Sequence, residues 1–182
     1  QLSFRVLFLC VGLKAIIFTQ MLPGVVMMIP IYTILNKLNL LNSHWGLILV
    51  YSSTAIPFCT WTLKGYFDTL PIEIEEAAFL DGASRFQVFY KIILPLSGPA
   101  IAITALFSFM TAWNEFILAA TLLNNETLFT APVALQRFVG EYQTSWGEFA
   151  AGSIVTSIPV VLLFYLLQKQ LVSGLTAGAV KS

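Results

Sequence analysis

Charge is scarce in this chain. Asp, Glu, Lys and Arg make up 10% of its 182 residues, against roughly 25% in an average soluble domain. What charge there is cancels to a formal net value of zero, so there is no basic excess of the kind that gathers nucleic acid. Histidine occurs once, as His44 in the polar link Asn42-Ser43-His44, and an isolated loop histidine is ordinarily solvated, so no role is assigned to it. Cys10 and Cys59 both lie in apolar surroundings without C-x-x-C or Cys/His ligand spacing, which excludes zinc and redox motifs and leaves two buried or membrane-embedded thiols. Nucleotide-hydrolysing machinery is missing too. The tail from Gly174 to Lys181 has three residues between its glycines and no Lys directly after the second, so it fails the phosphate-loop pattern. With no H-E-x-x-H and no nucleophile elbow, neither catalysis nor a metal or cofactor of its own is expected of this chain. The opening residues carry no charged n-region with a small-residue cleavage site and do not read as a signal peptide.

What the chain has in quantity is apolar surface. It is 58% hydrophobic, with 15 Phe and 4 Trp, and its mean hydropathy is +0.84. A membrane span needs about 20 mainly apolar residues, and four segments qualify: 15–35, 45–63, 98–120 and 150–167. Residues Val6 to Leu13 are apolar but too short to cross alone. The expected fold is an all-α polytopic transmembrane bundle over 1–182, a single domain. Lys and Arg near span ends are retained on the cytoplasmic side. With the spans in alternation, Arg5, Lys14, Lys64, Arg85, Lys91, Lys169 and Lys181 fall on one side, and only Lys37 and Arg137 on the other. This predicts that the loop 68–97 and the tail 168–182 are cytoplasmic, while the link around Lys37 to His44 and the loop 121–149 face outward.

The loop 68–97 carries the most specific pattern. Pro71 followed by Glu73, Glu75 and Glu76 puts a φ-restricted residue and negative charge in the opening turns of a helix beginning near Leu70. Asp81-Gly82 ends that helix, because Gly accepts the left-handed conformation, and Ser84 with Gln87 forms a capping-box pattern for a second helix that Pro95 stops. Ala77 and Ala78 give the first helix a low-profile patch on which another protein's backbone could come close. The plainer alternative is a solvated interfacial loop with helical content.

Within the spans, Thr104, Ser108, Thr111 and Glu115 recur at steps of four, three and four, placing them on one helical face with Asn114 beside the last. This face either lines a hydrated solute path or packs against neighbouring helices through its hydroxyls. Pro23, Pro30, Pro57 and Pro159 fall inside expected spans, where they either bend helices for a gated path or reflect the ordinary frequency of proline in membranes. Gly152, Ser153, Thr156 and Ser157 read as a close-packing surface.

The residues Glu76, Ala77, Ala78, Gly82, Ile92, Leu94 and Pro95 stand at the spacing of the EAA signature, EAA-x3-G-x9-I-x-LP. On them the chain resembles the inner-membrane permease subunit of ABC importers. Further stretches, Gln20-Met-Leu-Pro23, Trp61-Thr-Leu-Lys-Gly-Tyr-Phe67, Trp113-Asn-Glu-Phe116, Trp146-Gly-Glu-Phe-Ala150 and Gly174-Leu-Thr-Ala-Gly-Ala-Val-Lys181, extend the resemblance over nearly the whole chain to the MalG-type subunit of maltose, maltodextrin or trehalose importers. The resemblance implies a multi-pass subunit of a bacterial or archaeal cell (inner) membrane that takes part in sugar import. It implies a second homologous permease subunit, two ATPase subunits that use the ATP, an extracytoplasmic sugar-binding protein and surrounding lipid as partners, with no nucleic acid. It further implies that the EAA loop docks in a cleft of the ATPase, that the tail near Ala177 to Lys181 reaches between the ATPases, and that the outer segment with Asn124, Asn125, Glu126, Arg137, Glu141, Tyr142 and Trp146 touches the binding protein. The chain opens on Gln1, and family members have two further spans upstream, so the expectation is a chain incomplete at its N-terminus with Gln1 to Arg5 near the inner end of a missing span. Solutes such as glycerol phosphate, amino acids or metal ions, carried by a permease of the same class, are the alternative. A secondary transporter leaves the EAA loop unexplained.

Overall fold

The structure is a computed structural model that describes residues 23–140 and 144–179, with side chains to residue 170. Readings that fall on residues 1–22, among them those for Arg5, Cys10, Lys14 and the first part of the first expected span, lie outside the described residues, as do those for Glu141, Tyr142 and the tail side chains from 171 onward. The described elements are helical: α1 (Gly24–Lys37), α2 (His44–Phe67), α3 (Ile72–Leu80), α4 (Arg85–Leu96), α5 (Gly98–Trp113), α6 (Ile117–Leu122), α7 (Ala131–Gln136) and α8 (Trp146–Ala179). Among the described residues, α2 and the part of α8 from Trp146 to Gln170 are long and apolar enough to cross a membrane, and α4 with α5 forms a third such stretch bent by 70°. α1 is apolar but shorter.

The chain divides into two compact units, one of Gln1–Pro57 with Phe109–Val160, the other of Phe58–Ser108 with Val161–Ser182. In the first, Leu35, Leu47, Val50, Ala119, Leu122, Leu123 and Val133 form one buried cluster, flanked by Ile31, Leu40, Tyr51 and Phe129 among others. α1 closes with a Schellman turn whose left-handed position is Asn39 (φ 54°), with Leu40 N–H donating to the Leu35 carbonyl and Asn39 N–H to that of Asn36. This turn brings Leu40 over the cluster. It also brings the Leu40 carbonyl against Gly46, where a Cβ would overlap the oxygen, so a glycine is required. Asn42, again at positive φ, accepts on Oδ1 from the backbone N–H groups of Asn124 and Asn125 at 3.0 and 2.9 Å, and its own N–H donates to the Leu122 carbonyl. His44 Nε2 donates to the Leu128 carbonyl at 3.0 Å. The link after α1 is thereby stitched to the segment after α6.

The second unit has a smaller interior, with Ala78, Val88 and Ile93 buried among Phe67, Leu70, Ala83 and Ile92. Two expectations about proline change, one in this unit and one in the first. Pro95 does not stop the second helix. The helix runs on through it, with a π-helical turn over Phe89–Ile93 just before. The wider turn accommodates a ring that lacks an N–H and would collide with the carbonyl four residues back. The axis turns instead at Ser97, a fully buried residue whose hydroxyl donates to the Ile93 carbonyl at 2.7 Å, directly before Gly98-Pro99. Pro23, for its part, does not lie within a helix. It is the extended residue that precedes α1.

Candidate functional site

The EAA segment folds as helix, turn, helix. α3 begins after Pro71, carries Glu73 and Glu75 in its first turn, and ends in a Schellman turn in which Gly82 (φ 83°) takes the left-handed position. Ala83 N–H donates to the Ala78 carbonyl and Gly82 N–H to that of Phe79, both at 3.0 Å. The capping box is present: Ser84 N–H donates to Gln87 Oε1 at 2.7 Å and Gln87 N–H to Ser84 Oγ at 3.4 Å.

The alanines are divided by this geometry. Ala77 and Glu76 are exposed, but Ala78 is buried against the chain's own Val88 and Ile93, so its small side chain sets the approach of α3 to α4 and presents no patch to another protein. The accessible apolar surface includes Leu80, Phe86 and Tyr90, at 89, 76 and 61% exposure, beside Ile72, Phe79 and Phe89, with the rings of Phe86 and Tyr90 stacked at 6.2 Å. Ile92 and Leu94 are half-buried and Pro95 exposed. Beside them is a cavity of about 440 Å³ lined by Phe67, Phe79 and Phe89 with Glu75 and Arg85.

Of the polar positions expected on one face of the third span, Thr104, Ser108 and Thr111 lie on the continuous helix α5 at steps of four and three, and Glu115 does not. In the second unit, Thr104 is buried and its hydroxyl donates back to the Ala100 carbonyl at 2.7 Å, while Ser108 Oγ lies 3.1 Å from Cys59 Sγ. In the first unit, Thr111 and Asn114 are exposed, and Asn114 donates to the Met110 carbonyl at 2.9 Å. The stretch expected to be helical over 98–120 breaks after Trp113, so Glu115 lies beyond the end of α5 and off its face. The break has a local cause. Glu115 turns back on the start of α6, its two carboxylate oxygens accepting from the N–H groups of Leu118 at 2.8 Å and Ala119 at 3.0 Å. These are orphan donors at the positive end of a helix. Tyr51 donates its hydroxyl to the same carboxylate at 2.8 Å, tying α2 to the break. Sequence reasoning missed Tyr51, although Glu115 three and four residues ahead of Leu118 and Ala119 is the spacing of a carboxylate over a helix start. Trp113, which sequence reasoning singled out only for the resemblance, donates its indole N–H to the Thr156 carbonyl of α8 at 3.1 Å. Gly152 of α8 lies against Leu135, a Cβ there coming within 2.6 Å of its Cδ2. Among the described residues no group of three or more His, Cys, Asp or Glu side chains is placed to hold a metal ion.

The model of the family described as binding-protein-dependent transport system inner membrane component matches residues 12–177. The galactooligosaccharides transport system permease protein GanQ of Bacillus subtilis is 41% identical over 171 residues, which cover 93% of this chain and 60% of that protein. The maltodextrin transport system permease protein MalD of Streptococcus pneumoniae is 41% identical over 163 residues, 89% of this chain and 58% of that one. The maltose/maltodextrin transport system permease protein MalG of Escherichia coli is 38% identical over 175 residues, 93% and 59%. Among solved structures, a bacterial ABC transporter involved in the import of the acidic polysaccharide alginate aligns with a TM-score of 0.68 at 28% identity, covering 87% of this chain and 60% of that chain. The chain thus spans about 60% of the length of such relatives.

Proposed function

Because the chain belongs to the family of binding-protein-dependent transport system inner membrane components, we propose that it is the membrane-spanning subunit of an ATP-driven importer for a neutral sugar or oligosaccharide, coupled through its EAA segment to a separate ATPase. The observation that carries this reading is the build of that segment. Two capped helices hold Leu80, Phe86 and Tyr90 outward in a chain whose own interior there is small, and apolar area of that kind favours cover by a partner. Glu76, Ala77, Gly82 and Pro95 lie on the accessible side of the same unit, while Ala78, Ile92 and Leu94 support it from within. Relatives whose names state galactooligosaccharide and maltodextrin transport support sugar as the cargo. The reading includes a second permease subunit, two ATPase subunits and an extracytoplasmic sugar-binding protein as partners. It places the EAA segment and the tail in the cytoplasm, assigns ATP hydrolysis to the ATPases, and gives this chain no cofactor or catalytic role of its own. Thr111, Asn114 and Glu115, in the first unit, are the path positions it retains for test.

The experiment is reconstitution of the full transporter in proteoliposomes, with sugar uptake and binding-protein-stimulated ATP hydrolysis measured for wild type and for Leu80→Asp and Phe86→Asp. Both variants should reach the membrane at normal levels and lose uptake and stimulated hydrolysis together. Full coupled activity in both would remove the EAA segment from the docking role.

A further inference from the structure

The first unit holds a second cavity, of about 380 Å³, inside the roughly 300–1,000 Å³ range of small-molecule sites. It is built by residues between 116 and 137, all within that unit. Its walls include two aromatic rings, Phe116 and Phe129. The Arg137 guanidinium sits 5.8 Å from the centroid of Phe129 and pairs with Glu126, so the charged groups of the cavity cancel. Asn124 and Gln136 line it too, with the small apolar Ala120 and Val133. Asn124 and Gln136 are exposed, and their side-chain amides form no hydrogen bond with another described residue, leaving a donor and an acceptor on each. The rim is held in place from outside the cavity, because the Asn124 N–H is fixed by Asn42 Oδ1 at 3.0 Å and the Leu128 carbonyl by His44. A site held in this way loses little further freedom when a ligand enters.

We propose that this cavity is a subsite for one pyranose unit of a neutral oligosaccharide, taken up against Phe116 with its hydroxyls on the Asn124 and Gln136 amides. The inference rests on the reading of the chain as a sugar-importer subunit. The chemistry is that of a ring with an apolar C–H face and a polar edge. The slightly positive C–H face suits the negative face of an aromatic ring, and each hydroxyl, both donor and acceptor, suits an amide. The balanced Glu126–Arg137 pair argues against an anion, which would need an excess of positive charge, and the polar edge argues against an acyl chain.

The test is photo-crosslinking of the assembled transporter in lipid nanodiscs with a diazirine-bearing maltotriose, mapped by mass spectrometry. Label is expected on the 116–137 segment, competed by unmodified maltotriose and not by a uronic-acid trisaccharide. The double variant Asn124→Ala, Gln136→Ala should weaken that labelling roughly thirtyfold, two hydrogen bonds being lost. If it does not assemble, Gln136→Ala alone, at the exposed end of α7, should weaken it roughly fivefold. Absence of label on this segment, label that maltotriose does not compete, or label unchanged in the variant that assembles would each overturn the subsite. The broader reading fails separately, if the wild-type transporter with its binding protein takes up no sugar while the competed label on 116–137 persists.

Discussion

The two units of the chain close helices with the same Schellman turn and bury their surroundings to different extents. In the first, the turn at Asn39 folds Leu40 onto a cluster running from Leu35 to Val133, and polar side chains finish the job: Asn42 on two N–H groups, Glu115 on two more and on Tyr51. In the second, the turn at Gly82 closes over only Ala78, Val88 and Ile93, and Leu80, Phe86 and Tyr90 stay outside. Burying a large apolar side chain stabilises by roughly 1.5–3 kcal/mol, so the second unit leaves several such contributions unrealised within its own chain. Both units keep large apolar side chains exposed, Ile29, Trp45 and Trp146 among them in the first, so the difference lies in what each turn buries and in the polar bonds that fix the first.

The sharpest way to break the comparison is to disturb the first unit at its tightest point. Gly46→Ala places a Cβ on the Leu40 carbonyl oxygen, a backbone atom that the Schellman turn prevents from yielding. Overpacking of this kind should cost about 3 kcal/mol, read as a large fall in the thermal midpoint of the purified subunit and in its membrane level. A midpoint within a degree or two of wild type would mean that the link is not held as described. In the second unit Ala78→Leu should cost somewhat less, about 2 kcal/mol, and act differently. The subunit should insert normally, and co-purification of the ATPase should fall because α3 is pushed off α4. Normal ATPase recovery with Leu at 78 would return this residue to a merely tolerant position.

The contrast between the units was only partly legible in the chain. The cap chemistry of the EAA segment depends on neighbours within four residues, so Gly82, Ser84 and Gln87 could be read directly from their spacing. The direction Ala78 faces depends on Val88 and Ile93 arriving from the next helix, and no local pattern carries that. Periodicity also misplaced Glu115, because steps of four and three continue across a break that only a carboxylate folded back on Leu118 and Ala119 reveals. The hinge at Ser97 was signalled by Ser97-Gly98-Pro99, but Pro95 nearby is the stronger conventional stop and drew the boundary to itself.

A milder test of the first unit's polar fixing is Glu115→Gln, which keeps the shape and removes the charge. Hydrogen bonds to an ionised group contribute more than neutral ones, so a loss of about 1.5 kcal/mol in thermal stability is expected. Tyr51→Phe should be smaller, and the two changes should be less than additive in a double-mutant cycle, because they remove one shared bond. Strict additivity would show that Tyr51 and Glu115 do not interact.

The finest distinction lies between the two turns themselves, which have equivalent hydrogen bonds and near-equal purposes but use Asn in one unit and Gly in the other. Asn is the residue other than Gly that visits the left-handed region most readily, yet it retains a Cβ. Asn39→Gly therefore relieves a modest strain while loosening the unfolded chain, and the two effects oppose each other. A net change of about 0.5 kcal/mol or less is expected. Gly82→Asn moves in the other direction, and space does not oppose it, since nothing lies within 4 Å of a Cβ built there. Its cost is the φ of 83° alone, about 0.5 kcal/mol. Gly82→Val, whose β-branched side chain resists positive φ, should cost more than Gly82→Asn and weaken ATPase attachment measurably. If the turns differ only in residue choice, Asn at 82 should support coupled transport near the wild-type level, read as uptake per molecule of ATP hydrolysed. If Asn at 82 abolishes coupling while leaving the thermal midpoint in place, the bare Gly82 surface is itself in contact with the partner. The two turns would then differ in function as well as in chemistry.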